Sequence, residues 1–156
     1  RVFDLIPSKS LNLIKDKLHS VGRLDYNSQG LLLITNNSKL KHFLESPKNK
    51  ITRVYKVKVQ GQVNSELINK IKKGTTVKNI VYKVNSIKAI KIGNSYSWVL
   101  VKLNEGKNQH IRKIFMKNGL SVNKLIRIQY GPYKLSSLGT GCIKFLKPYK
   151  MKSLYK

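Results

Sequence analysis

Polar and apolar side chains alternate along several short segments of the chain, and this period of two predicts β-strands. The clearest case runs from Arg53 to Gln60, where Tyr55, Val57 and Val59 point to one face and the intervening lysines to the other. The apolar run within residues 29–35 predicts a buried strand. Strands are also predicted over residues 81–92 and 96–103, joined in a hairpin at Gly93-Asn94, and in segments that continue from residue 120 to the C-terminus, broken at Gly131-Pro132 and Gly139-Thr140-Gly141.

Four other segments repeat apolar residues at helical spacing. The predicted helices cover residues 10–18, the segment between the cap Asn37 and Pro47, the segment between the cap Asn64 and Gly74, and residues 108–117. Helices that are separated by strands and hairpins predict an α+β fold. We expect one domain over residues 1–156, with a mixed, largely antiparallel sheet and helices packed on it.

The charge of the chain limits its partners, because 32 Lys and Arg residues face only six Asp and Glu, giving a formal net charge of +26. Self-repulsion of this size favours a polyanionic partner. Nucleic acid fits better than a membrane surface, since the sequence contains no long amphipathic helix with a bulky apolar face. AT-biased coding would explain the excess of Lys over Arg, but it does not explain the scarcity of acids.

Metal, disulfide and membrane classes are poorly matched by the composition. One cysteine and three dispersed histidines leave no ligand set for structural zinc. No apolar run approaches the roughly 20 residues that cross a bilayer. We therefore expect no metal, no cofactor and no membrane contact, and a monomer in a cytoplasm or an organelle matrix.

The first candidate for chemistry is the polar loop Gly22-Arg23-Leu24-Asp25, which precedes the predicted buried strand. A side chain on a loop supported by a rigid element is well placed for catalysis, and the chain has few other acids to choose from. The alternative is that Asp25 is a turn residue whose side chain bonds the backbone of Asn27. Local physics alone favours that alternative.

Two further segments contain arginines, which a chain so rich in Lys retains where the planar guanidinium matters. Glu105-Gly106-Lys107-Asn108 leads from a strand into a helix whose first N–H groups could receive a phosphate. Arg112 lies at the edge of the buried helical stripe and needs a carboxylate or a phosphate, so Asp25 is a candidate partner. Arg127 lies beside Leu125 on one strand face, and a solvated arginine on an edge strand is an equal alternative.

Taken together and in order, these motifs resemble those of the ribosomal RNA pseudouridine synthases that modify small-subunit and large-subunit uridines. The matching segments are Gly22-Arg23-Leu24-Asp25 with Ser28 and Gly30-Leu31-Leu32, Thr35-Asn36, Arg53-Val54-Tyr55-Lys56-Val57, Glu105-Gly106-Lys107-Asn108 with Ile111-Arg112, and Leu125-Ile126-Arg127 with Gly131-Pro132. The resemblance extends over essentially the whole chain. Several motifs in one order are far more specific than any single one.

The resemblance implies a role for each matching residue. Asp25 matches the catalytic aspartate, Tyr55 the aromatic residue that packs against the target base, Arg112 the arginine that pairs with the aspartate, and Leu125 the apolar residue that closes the pocket. Arg23 and Arg127 fall inside the same motifs and are assigned to substrate binding. These implications reverse the local preference for a turn role of Asp25.

Two features depart from the family pattern. Gln109 and His110 stand where Arg or His followed by Gln or Glu is usual, which puts RNA contacts at that turn in doubt. The family usually carries a small N-terminal RNA-binding domain, whereas this chain begins at Arg1, where a catalytic domain would start. The sequence leaves open whether that domain was removed or never present.

The implied reaction is isomerisation of a specific uridine in RNA, most simply ribosomal RNA, to pseudouridine by base flipping and aspartate-dependent cleavage of the glycosidic bond. It needs no cofactor, and Asp25 acts as a nucleophile or as a base at the sugar; the sequence decides neither. The alternative is a catalytically inactive RNA-binding or ribosome-associated protein that keeps the fold. Retention of Asp25, Tyr55, Arg112 and Leu125 together favours the enzyme.

Overall fold

The computed structural model describes residues 2–8 and 17–146. Its strands are β1 (His19–Val21), β2 (Gln29–Gly30), β3 (Leu33–Thr35), β4 (Arg53–Gln60), β5 (Thr75–Val77), β6 (Ile80–Tyr82), β7 (Ser86–Lys91), β8 (Tyr96–Leu103), β9 (Val122–Tyr130) and β10 (Tyr133–Lys134). Its helices are α1 (Ser38–Glu45), α2 (Ser65–Lys73) and α3 (His110–Lys117), with short 3-10 turns at Val2–Leu5 and Pro47–Asn49. The predicted helix over residues 10–18 falls almost entirely outside the described ranges.

One six-stranded sheet organises the molecule. Its order is β7-β8-β4-β9, and the free edge of β9 takes both β10 and β2. Every pair in this sheet is antiparallel except β2 with β9, which is parallel. The prediction of an α+β fold with a mixed, largely antiparallel sheet is confirmed. The pairs β1-β3 and β5-β6 form two small separate sheets.

The helix caps follow the sequence pattern. The side chains of Asn37 and Asn64 accept the backbone N–H groups of Leu40 and Leu67, each at 2.9 Å, so that both residues cap their helices as predicted. The fourth predicted helix begins at His110 instead of residue 108. Gln109 adopts a left-handed backbone with φ of 49°, which cannot continue a helix backwards.

Three strand predictions were wrong in extent. Residues 29–35 form two strands in different sheets, and residues 81–92 are divided between β6 and β7. An apolar run records burial but does not tell which strand supplies the hydrogen bonds, so it cannot reveal such a division. Within the described part of the chain, no strand follows β10, although strand-like segments were expected up to the C-terminus.

Two clusters of buried side chains hold these elements together. The larger packs α2 and α3 on one face of the main sheet, around Val57, Val99 and Phe115. The smaller lies around Leu44 and Tyr130, between α1 and the β1-β3 pair. In the ranges that the structure describes, none of the helices has the length and apolar character that crossing a membrane requires.

Candidate active site

A cleft of about 630 Å³ opens on the same face of the main sheet as the larger core. Its walls come from the loop after β1, the end of α1, the strands β4, β8 and β9, and the turn before α3. The polar lining residues are Arg23, Asp25, Ser28, Glu45, Arg53, Tyr55, Glu105, Lys107, Asn108, His110, Arg127 and Tyr130, and the large apolar ones include Leu24, Leu103, Ile111 and Leu125.

Asp25 lies on the loop between β1 and β2, with its half-buried side chain in the cleft lining. Its backbone carbonyl accepts the N–H of Ser28 at 2.8 Å, which closes a turn over Tyr26 and Asn27. Among the described residues, none donates a hydrogen bond or forms an ion pair with its carboxylate. Asp25 is therefore a turn residue through its backbone, while its carboxylate remains available to a ligand.

Arg127 holds this loop from the interior of the protein. Its side chain is only 1% exposed, and it donates hydrogen bonds to the carbonyls of Leu31 at 2.8 Å, Arg23 at 3.1 Å and Gly22 at 3.3 Å. Its guanidinium also lies over the ring of Tyr130, 5.1 Å from the centroid. The alternative of a solvated arginine on an edge strand was wrong, because β9 is paired on both edges. The guanidinium donates to the main chain of the loop, so Arg127 positions the loop. Arg127 also lines the cleft, and its role in substrate binding stays a prediction.

Gly22 begins the loop at a place where no side chain fits. Its φ is +66°, and a Cβ atom built on it would lie 2.6 Å from a ring carbon of Tyr130. Its N–H donates to Oε1 of Glu45 at the end of α1, at 2.9 Å. The loop is thus fixed at its start by a helix and from beneath by β9.

Arg53 and Tyr130 form a second buried polar group that the sequence analysis did not assign to the site. Arg53 donates to the Tyr130 hydroxyl at 2.8 Å and to the carbonyl of Leu44 at 3.2 Å, and the hydroxyl donates to the same carbonyl at 3.0 Å. Burial raises the pKa of the Tyr130 phenol. The retention of an arginine at position 53 in a Lys-rich chain was the available signal, but its partner is distant in sequence.

Tyr55 and Leu125 lie on adjacent central strands of the cleft floor. Tyr55 of β4 is opposite Arg127 of β9, and Leu125 is opposite Val57, so the two side chains share one face at a diagonal. Tyr55 is half-buried and Leu125 is 4% exposed. A half-buried aromatic ring and an apolar side chain therefore meet on the cleft floor.

Arg112 makes contacts that differ from the predicted ones. Its guanidinium donates to the carbonyl of Val122 at 2.9 Å and to that of Asn27 at 2.6 Å, and the cleft lining does not include it. The expected ion pair with Asp25 is absent from the described residues, so that prediction was wrong for this structure. Backbone carbonyls also accept hydrogen bonds from a half-buried guanidinium, and periodicity cannot distinguish them from a carboxylate. Arg112 ties α3 and β9 to the turn after Asp25.

The turn before α3 supplies the remaining wall. Lys107 forms an ion pair with Glu105 at 2.9 Å. His110 is only 4% exposed, and its Nε2 lies 3.0 Å from the carbonyl of Lys83, which can only accept, so the proton is on Nε2. Burial lowers the pKa of His110 and keeps the ring neutral. Its Nδ1, like Oγ of Ser28, is buried without a hydrogen-bond partner among the described residues.

The structure thus brings Arg23, Asp25, Tyr55, Leu125 and Arg127 around one cleft and leaves Arg112 behind its wall. Sequence reasoning missed Glu45, Arg53 and Tyr130. A carboxylate loop thus lies above a cleft that has a tyrosine on its floor and both basic and acidic groups in its walls.

Comparison with known proteins assigns the family. A family model described as RNA pseudouridylate synthase matches residues 5–117, and the chain belongs to this family. Over 122 residues it is 49% identical to an uncharacterized RNA pseudouridine synthase of Rickettsia prowazekii (strain Madrid E), which covers 78% of this chain and 52% of that protein. The chain therefore spans about half the length of this relative.

Two further matches agree with the family. The chain is 37% identical over 160 residues to ribosomal large subunit pseudouridine synthase B of Buchnera aphidicola subsp. Schizaphis graminum (strain Sg), covering 99% of this chain and 60% of the relative. A crystal structure of a pseudouridylate synthase superimposes with a TM-score of 0.75 at 26% identity, covering 90% of this chain and 59% of the other. The fold expected from the resemblance is confirmed.

Proposed function

We propose that this chain isomerises a specific uridine in RNA to pseudouridine and that residues 1–156 act as one catalytic domain with Asp25 as the essential carboxylate. One observation carries the proposal. The Asp25 side chain lines the cleft unpaired among the described residues, on a loop that buried Arg127 holds in place. An unpaired carboxylate that is supported by rigid elements is available for chemistry.

The cleft suits a nucleotide that has left its stack. A uridine inside a helix or a stacked loop hides its glycosidic bond, so an enzyme must flip it out. The Tyr55 face would replace the lost base stacking, and Leu125 would supply an apolar wall. A cleft of about 630 Å³ accommodates a single nucleoside. Arg23 and Lys107 at its exposed rim would contact the flanking phosphates.

The reaction conserves atoms and electrons. The bond between N1 of uracil and C1′ of ribose breaks, and a bond forms between C5 and the same C1′. The hydrogen on C5 leaves as a proton and N1 gains one, so the product is an isomer and no oxidant is required. Ionised Asp25 acts at the sugar, either as a nucleophile at C1′ or as a base that removes a ribose proton.

Ribosomal RNA is the substrate class that we propose. The Buchnera relative, at 37% identity, is named as a ribosomal large subunit enzyme. The net charge of +26 suits a large folded RNA, whose phosphates would neutralise it.

The test uses ribosomal RNA transcripts that carry tritium at C5 of uridine. The native chain should release tritium to water, and carbodiimide labelling with primer extension should map one new pseudouridine. Asp25→Asn has nearly the same shape but cannot be a nucleophile or a base, and it should lower the rate at least about 1,000-fold.

The controls separate chemistry from folding and binding. Asp25→Asn should keep the native thermal midpoint and RNA affinity, and the Rickettsia prowazekii relative serves as a positive control of the assay. Tritium release by that relative but by neither form of this chain would contradict the proposal. It would favour the binding-only alternative.

A further inference from the structure

The face of the main sheet that is turned away from the cleft carries cross-strand rows of side chains. Strand register places three rows across β9, β4, β8 and β7, and we call these twelve residues the outer sheet face. The rows are Lys124, Lys58, Trp98 and Lys91; Ile126, Lys56, Leu100 and Lys88; and Gln129, Val54, Lys102 and Ser86. Successive residues of a strand point to opposite faces, and register shifts next to Tyr55 and between Ala89 and Lys91 bring Gln129 and Lys91 into these rows through their cross-strand partners. Cross-strand partners share a face, so these positions face away from Tyr55 and Leu125.

Six of the twelve positions are lysines, and none is an acid. Lys88, Lys91, Lys102 and Lys124 are exposed, and Lys56 and Lys58 are half-buried. By contrast, three of the five acidic residues in the described ranges line the cleft on the other side. The outer sheet face therefore concentrates positive charge without local compensation.

This arrangement costs stability in the free protein. Lys58 and Lys124 are directly opposite each other on neighbouring strands, a like-charge pair that destabilises a sheet. A sheet that only needed a solvated face could alternate Lys with Glu across these positions. Uncompensated charge of one sign is instead the electrostatic pattern of a surface that binds a polyanion.

Aromatic rings hold two of the lysines in position. Nζ of Lys56 lies 4.9 Å from the ring centroid of Trp98, and Nζ of Lys58 lies 4.2 Å from that of Tyr96. A cation over an aromatic face has restricted motion and stays partly desolvated. These two ammonium groups are therefore restrained on neighbouring rows, which lie about 7 Å apart along β4.

We propose that the outer sheet face is a second RNA-binding surface, which binds the phosphate backbone of an RNA segment remote from the nucleotide in the cleft. The lysine ammonium groups are point charges without the planar fork of arginine, and the rings of Trp98 and Tyr96 are already covered by Lys56 and Lys58. The contact is therefore to phosphates and does not read bases. The surface is independent of the isomerisation proposed for the cleft. A polyanionic backbone supplies the negative charge that the outer sheet face lacks.

The test compares two triple variants that lose the same charge. Lys88→Gln, Lys91→Gln and Lys102→Gln remove three exposed lysines of the outer sheet face that make no cation–π contact with the described rings. Lys70→Gln, Lys72→Gln and Lys73→Gln remove three exposed lysines from α2, away from both the cleft and the outer sheet face. The probe is an oligoadenylate, which contains no uridine for the cleft to select.

The outer-face variant should bind the probe at least about tenfold more weakly, and the slope of log affinity against log salt should fall by about 2 to 3, since each lost phosphate contact removes roughly 0.7 to 0.9. The α2 variant should change this slope by less than the roughly 0.7 to 0.9 that a single phosphate contact contributes. Thermal unfolding of both variants confirms that each is folded. In the native chain, bound RNA should protect Lys88, Lys91 and Lys102 from chemical acetylation, as measured by mass spectrometry.

Equal losses of affinity and slope in the two variants would overturn the proposal, because they would mean diffuse attraction by net charge. The proposal would also be overturned if the outer-face variant bound RNA as the native chain does but bound polyglutamate more weakly. That result would favour an acidic protein partner. Tritium release from uridine does not enter either outcome, so failure here is distinguishable from failure of the proposed reaction.

Discussion

Arg127 carries its charge inside the protein, and its hydrogen bonds hold the main chain of the Asp25 loop. Three carbonyls, those of Gly22, Arg23 and Leu31, accept from one guanidinium that is 1% exposed. The planar fork has five N–H donors spread over three nitrogens and reaches carbonyls that lie apart, whereas the three donors of a Lys ammonium all leave one atom. The retention of an arginine here was visible in the sequence, but its partners lie about a hundred residues away.

Replacing Arg127 should therefore damage both the fold and the site. Arg127→Met leaves one buried and two partly buried carbonyls without this donor and should lower the free energy of unfolding by about 3 kcal/mol, since each loss of a buried partner costs about 1–3 kcal/mol. Loss of loop position should lower tritium release at least about 100-fold. Urea unfolding and the uridine assay measure the two effects.

Arg127→Lys is the matched control, because it keeps the charge and loses the fork. Its free energy of unfolding should lie between those of Arg127→Met and the native chain, and its activity should still be lower than that of the native chain. A fully active Lys variant would contradict the positioning role.

His110 should make stability depend on pH. Burial lowers its pKa below the usual 6.5, so the folded protein keeps the ring neutral while the unfolded chain takes up a proton near 6.5. This contribution is present in full above pH 6.5 and is lost as pH falls through the folded pKa. The free energy of unfolding should fall more steeply with decreasing pH in the native chain than in His110→Gln, measured by urea unfolding. Parallel curves for the two proteins would exclude the effect.

The segment from Gly22 to Gly30 behaves as one element although little of it is regular. Glu45 accepts from its first N–H, Arg127 donates to its carbonyls, and Arg112 donates to Asn27 in its turn. Its end pairs in parallel with β9, where Gly30 lies against the backbone of Arg127 too closely for a side chain. Anchors from α1, β9 and α3 thus define the position of Asp25.

Gly22→Ala should displace this element. The new Cβ would meet Tyr130 at 2.6 Å, and the φ of +66° adds backbone strain. The expected loss is about 1–2 kcal/mol from the backbone and a further 1–3 kcal/mol from overpacking, together with loss of activity. Thermal unfolding and tritium release would measure both.

Gly119→Ala provides the control for backbone strain alone. Its φ is +79°, and nothing lies within 4 Å of the added Cβ. It should lose only the backbone part and remain active. Equal destabilisation of the two variants would show that contact with Tyr130 is unimportant.

Charge is distributed unevenly over the whole molecule. Glu45, Glu105 and Asp25 line the cleft, whereas the outer sheet face has lysines and no acid. A net charge of +26 on a chain of 156 residues opposes compaction, and the cost depends on how far the charges act through the solvent.

Salt should therefore stabilise the protein. Raising ionic strength from about 0.01 M to 0.15 M shortens the Debye length from about 30 Å to 8 Å, which screens the repulsion. The midpoint of thermal unfolding, measured by differential scanning calorimetry, should rise over this range of ionic strength. The Lys88, Lys91 and Lys102 triple variant should respond less to salt than the native chain. A midpoint that is independent of salt would show that the repulsion is already neutralised within the fold.

Local sequence determined much of the secondary structure and several residues of the candidate site. Alternation specified β4 from Arg53 to Gln60, and the caps Asn37 and Asn64 placed the starts of α1 and α2, because periodicity and capping depend on neighbours within a few residues. The order of the motifs identified the family and selected Asp25, Tyr55 and Leu125, which the fold gathers at one cleft.

The tertiary structure alone decided which groups serve one another. It divided residues 29–35 between two sheets, gave Arg112 to carbonyls instead of to Asp25, and joined Arg53 with Tyr130. It also assembled six lysines from four strands into one face. Partners that lie far apart in sequence are chosen by strand register and by the need to satisfy every buried polar group, and neither is written in the local pattern of the chain.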